Sequence, residues 1–126
     1  MKSFICSVLV LILVILGICY YEYSVGKYKA EIDSMIKSIE QSVYDENIDS
    51  ARKDIDKLND RWDKIKNVLM MFNDHKDLNE MSQTLRMLKA FSEFEKYDEM
   101  YSNLETFKLL FSQAVESSKP TLANIL

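Results

Sequence analysis

The sequence predicts an all-α protein: an N-terminal transmembrane helix followed by an antiparallel three- or four-helix bundle. Three observations predict it. The stretch from Phe4 to Tyr21 holds 18 residues and no charge. The apolar residues after it recur at steps of three and four, the period of a helix face. Helix breakers are scarce, with two Gly and one Pro in 126 residues, and neither occurs between Gly26 and Pro120.

The N-terminal stretch, as a helix, is about 27 Å long, enough to cross a hydrocarbon core. Phe4, Leu11, Leu16 and Tyr21 mark this membrane span. Its apolar centre is longer than that of a secretory signal peptide, and Ser24-Val25-Gly26 is a poor cleavage site. Lipidation at Cys19 would need a small residue before it, where Ile18 stands. An uncleaved signal anchor is therefore expected. Tyr20, Tyr21, Tyr23 and Tyr28 read as an interfacial belt, unless Tyr28 already opens the core of the next helix. Lys2 on one side nearly balances Lys27 and Lys29 on the other. A very short N-terminal tail usually stays in the cytoplasm, so the expectation is a single-pass cell-membrane protein with its helical domain outside. The anchor and interfacial segment take residues 1–26, the bundle 27–119, and a short apolar tail 120–126.

Helical phase continues with Ile32, Ile36, Ile39 and Val43, and this helix could run on from the anchor. Tyr44-Asp45-Glu46-Asn47 interrupts it, and Asp45 or Asn47 can cap a new helix. Ile48, Ala51, Ile55, Leu58, Trp62, Ile65, Leu69 and Phe72 then form a heptad seam about 37 Å long. Asp49 with Lys53 and Asp60 with Lys64 lie four apart on its outer face. Asn73-Asp74-His75-Lys76 breaks the run, and Asp77 with Glu80 reads as a capping box. A third helix shows Leu78, Met81, Leu85, Leu88 and then Phe91 or Phe94. Lys96-Tyr97-Asp98 is the next expected turn. The fourth helix shows Met100, Leu104, Phe107, Leu110, Phe111, Ala114 and Val115, and stops before Pro120. Tyr44-Asp45-Glu46 recurs as Tyr97-Asp98-Glu99. Two hairpins of related design or chance would each explain this; chance is the reading taken.

Charge narrows the partners. After Tyr21 there are 15 basic and 20 acidic residues. An acidic domain repels polyphosphate and anionic lipid, so nucleic acid is not an expected partner. Cys6 and Cys19 both lie in the apolar run, about 20 Å apart along a helix, too far to bridge within the chain.

Few residues suggest chemistry. His75 with Asp74, Asp77 and Glu80 could converge on a cation, but a polar turn with two capping residues accounts for them more simply. The acids from Asp45 to Asp63 alternate with lysines on a solvated face, which does not suit paired-carboxylate catalysis. No enzyme activity and no cofactor are expected. Trp62 falls on the heptad seam, which makes it core, with an interface anchor as the other reading. Leu122, Ile125 and Leu126 in the tail are further candidates for an interface.

The order of parts resembles a family of small proteins of clostridia and related spore-forming Gram-positive bacteria, catalogued as domain of unknown function 4363. The shared features are the short span, the turn from Asp45 to Ala51, Trp62, the Asp74-His75 turn and the final Asn124-Ile125-Leu126. The Asp45-Glu46-Asn47 turn departs from the family in lacking an aromatic after the acid. The resemblance implies a location and an architecture, no activity, and a setting among small membrane proteins. The expected function is a non-enzymatic, membrane-tethered interaction module or accessory subunit. Its partners would be the bilayer and another membrane protein, or itself. A small-ligand sensor bundle and a parallel coiled-coil rod are the alternatives.

Overall fold

The computed structural model describes residues 1–70 and 75–118 and contains four helices: α1 (Lys2–Tyr44), α2 (Ile48–Leu69), α3 (His75–Glu93) and α4 (Tyr97–Ser118). At 1.5 Å per residue, the 43 residues of α1 extend about 65 Å. Its N-terminal half is apolar and exposed, while its C-terminal half buries Val25, Ile32, Ile36, Ile39 and Val43. The helix passes through Gly26 without a break, so the bundle core starts at Val25 on the same helix as the apolar stretch.

The four helices close a ring in which α1 packs on α2, α2 on α3, α3 on α4 and α4 on α1. Short turns after α1 and α3 make each of those pairs antiparallel. We call the end with these two turns the tip, and the end near Val25 the base. Buried residues step by three or four along each helix, which is why each presents one face inward. Trp62 of α2 lies at the centre, edge-on to Phe107 and Phe111 of α4 at centroid distances of 5.5 and 6.4 Å. Its indole N–H donates to Ser82 Oγ of α3 at 2.9 Å. One side chain therefore ties three helices, and its polar atom is satisfied inside the core. Thr84, buried on α3, donates back to the Glu80 carbonyl at 2.9 Å.

Ion pairs here run between helices. Arg61 Nε of α2 lies 2.7 Å from Glu31 Oε1 of α1, with its N–H off the hydrogen-bond axis. The same guanidinium lies over the Tyr28 ring at 5.5 Å. Tyr28 is half-buried against the core, so it opens the bundle, whereas Tyr20 and Tyr23 are exposed. Lys89 of α3 reaches Asp56 of α2 at 3.4 Å. Pairs this exposed add at most about 1 kcal/mol each, so the apolar interior holds the fold.

Two expectations are corrected and two open readings are narrowed. Helix α3 begins at His75, so Asp77 is a first-turn acid and not an N-cap; there it still faces the positive helix end. The turn before α4 spans Phe94, Glu95 and Lys96, two residues earlier than expected. Phe91 packs against the core while Phe94 is 73% exposed, so the apolar phase ends at Phe91. The α2 seam from Ala51 to Leu69 is consumed inside the chain's own bundle, which leaves no seam for a parallel coiled-coil rod. Phe72 and Asp74 lie outside the described residues.

Candidate interaction surface

The two turns at the tip are built alike. After α1, the Asn47 N–H donates to the Ser42 carbonyl at 2.9 Å and the Glu46 N–H to Val43 at 3.1 Å. After α3, the Lys96 N–H donates to Phe91 at 3.1 Å and the Glu95 N–H to Ser92 at 3.3 Å. Both are the six-to-one, five-to-two pattern of a Schellman cap. Its left-handed position is filled by Glu46 (φ 53°) in one and Glu95 (φ 54°) in the other. Glycine is the relaxed residue there, and an L side chain costs about 1 kcal/mol. Asn47 then caps α2, its side-chain oxygen accepting from Ser50 N–H at 3.3 Å.

Two long side chains bind the turns to each other. Tyr97 Oη donates to the Glu46 carbonyl at 3.0 Å. Arg52 of α2 donates to the Ser92 and Glu93 carbonyls at the end of α3, both at 3.2 Å. Arg52 thus adds a second donor to the Ser92 carbonyl and caps that of Glu93 at the helix end. Partial burial first, then the nearby Glu95 and Glu46 carboxylates, push the Tyr97 hydroxyl above the usual phenol range. Tyr97 therefore stays a neutral donor.

Aromatic side chains crowd this end. Tyr44 is 85% and Tyr101 51% exposed. With Val43, Glu46, Tyr97 and Asp98 they line an open cleft of about 530 Å³ between the end of α1 and the start of α4. A second cleft of about 460 Å³, on the Glu95 side of Tyr97, adds Lys96 and Glu99. Further along the α1–α4 seam, Lys108 lies 3.5 Å from Glu40. Glu105 shares a side-chain hydrogen bond with Glu40; that bond first, and partial burial second, hold its carboxyl above the usual range against the opposing pull of Lys108.

The residues marked by sequence fall elsewhere. Phe4, Leu11 and Leu16 are exposed along the first half of α1, and Tyr21 is half-buried at the bundle base. Trp62 is 1% exposed, so it is core and not an interface anchor; its seam position and its Ser82 partner are the reason. Leu122, Ile125 and Leu126 lie outside the described residues. His75, Asp77 and Glu80 are exposed on α3.

Sequence reasoning missed Tyr44, Tyr97, Tyr101 and Glu46 as one surface. The repeated Tyr-Asp-Glu contains three of them. It does not align the hairpins, because Tyr44 ends a helix while Tyr97 begins one. The structural equivalents are Glu46 and Glu95.

No curated protein and no solved structure matches the chain. A family model does, over residues 19–125, from the end of the apolar stretch to the last residue but one. The chain belongs to the family described as Domain of unknown function (DUF4363).

Proposed function

We propose that the protein is a membrane-anchored, non-enzymatic interaction module that holds its tip cleft away from the bilayer, with the bundle on the outer side. The observation that carries this reading is helix α1. One unbroken helix has an exposed apolar half long enough to cross a membrane, and its last turn frames the cleft at Tyr44. Retention of the anchor has its own support. The poor cleavage site at Ser24-Val25-Gly26 lies inside α1, and Val25 is 4% exposed, so cutting there would remove the first core residue. A ligand-sensing bundle has less support, because Trp62, Phe107 and Phe111 fill the interior where a ligand would sit.

The test uses the full-length protein in its own membranes. Alkaline carbonate should leave it in the membrane fraction, and external protease should degrade the bundle. A photo-crosslinking residue in place of Tyr101 should give a discrete adduct, while the same residue in place of Asp60, on the outer face of α2, should give none. Release by carbonate, or equal adducts from both positions, would sink the reading.

A further inference from the structure

We propose that the tip cleft docks a lysine- or arginine-bearing segment of a partner protein, its cation held against Tyr44 and Tyr101 and its charge met by Glu46 and Asp98. This rests on the tethered-module reading and names the chemistry of the partner.

Three observations carry it. The first is shape: Val43, Tyr44, Tyr97 and Tyr101 converge on one concave surface of about 530 Å³, unlike scattered exposed aromatics, which need no explanation. The second is ring chemistry. Tyr44 and Tyr101 leave their rings to solvent, and an aromatic face attracts a guanidinium or ammonium. The chain makes the same contact internally, where Arg61 lies over Tyr28.

The third is charge complementarity. The two clefts flanking Tyr97 are lined by Glu46, Glu95, Asp98 and Glu99 against the single cation Lys96. Further along the seam Glu40 pairs with Lys108 at 3.5 Å, and Glu105 lies close enough to both to feel their charge. An occupant bringing positive charge relieves this excess and is steered toward it.

Other occupants fit poorly. The tip lies 23 residues beyond Tyr21 on one continuous helix, about 35 Å from the apolar stretch, and its acids repel anionic headgroups. A second copy pairing this face with itself would set carboxylates against carboxylates. Nucleic acid is repelled in the same way.

The test uses full-length protein in phosphatidylcholine nanodiscs at physiological salt. The probe is a fluorescent, acetylated ten-residue peptide alternating Arg and Gly, compared with its Glu-for-Arg counterpart. Saturable binding of the Arg peptide alone is expected. The double variant Tyr44→Ala/Tyr101→Ala, which removes exposed rings and no charge, should weaken it at least fivefold. Glu46→Gln/Asp98→Asn should weaken it similarly. Asp60→Asn/Asp63→Asn, an equal charge change on α2, should stay within twofold of the parent. Absence of saturable binding, indifference to the tyrosines, or equal loss from the α2 control would overturn the proposal. Any of these with the position-101 adduct still present removes the basic partner and leaves the tethered module standing; absence of the adduct removes the module itself.

Discussion

Helix α1 is one helix with two patterns, and its halves differ in how they place apolar groups. From Phe4 to Leu16 apolar side chains point in every direction and are 38–72% exposed in the isolated chain. From Val25 to Val43 one stripe of Val25, Ile32, Ile36, Ile39 and Val43 is at most 6% exposed, while Lys27, Lys29, Lys37 and Glu40 take the other faces. A helix with a stripe finds its solvent in neighbouring helices. A helix that is apolar all round needs a solvent that is apolar all round. No flexible linker separates the two regimes, so the apolar stretch and the first bundle helix form one continuous element.

The comparison is broken hardest from the bundle side. Trp62→Ala removes the side chain that contacts α3 and α4 and should cost about 3–5 kcal/mol. Thermal unfolding of the full-length protein in nanodiscs should show a large fall in Tm, while flotation with vesicles stays unchanged. From the other side, Leu11→Arg places a charge mid-span and should cost about 2.5–3.5 kcal/mol of insertion. Less protein should then reach the membrane fraction, and the bundle of the inserted protein should melt as before. If Leu11→Arg lowered the bundle Tm as much as Trp62→Ala, the two halves of α1 would not be independent.

Those two effects involve what was legible in the sequence. The uncharged run, the three-and-four spacing from Ile48 to Leu69 and the scarcity of breakers each report on burial, and burial decides helix faces. The position of Trp62 on that spacing placed it in the core. Harder to read were the ends. The turn before α4 was misplaced because Phe94, Glu95 and Lys96 contain no Gly, Asn or Pro. Glu95 takes a left-handed conformation that its residue type does not advertise. The tip surface was illegible for a different reason. Tyr44 and Tyr101 meet only after the chain has folded back three times, and nothing local marks an exposed tyrosine as belonging to a cleft.

The turns themselves give a smaller test, with opposite sign. Glu46→Gly and Glu95→Gly each relieve a left-handed residue and lose some unfolded-state restriction in return. The net gain should be about 0.5–1 kcal/mol per site, read as a rise in denaturation midpoint without a change in slope. A loss of stability at either site would mean that the glutamate side chain holds the tip together in a way its backbone conformation does not show.

The smallest effect is a matter of pH and lies on the seam between α1 and α4. The Glu105 carboxyl is held above its ordinary value of 4.5, chiefly by its hydrogen bond with Glu40. The folded chain therefore keeps this proton to higher pH than the unfolded chain does. Below about pH 4.5 both states are protonated and the contribution is fully present; it is lost as pH rises through the folded value, when two carboxylates face each other. Lys108 softens this loss, since Glu40 first and Glu105 second push its amine up, and it stays charged throughout that window. Glu105→Gln keeps a donor toward Glu40 at every pH. It should match the parent near pH 4 and melt about 1–2 °C higher at pH 7, a modest gap because both groups meet solvent. An offset of the same size at both pH values would show that Glu105 does not share its proton with Glu40, and the seam would then be an ordinary solvated face of α1 like the one that carries Lys27 and Lys29.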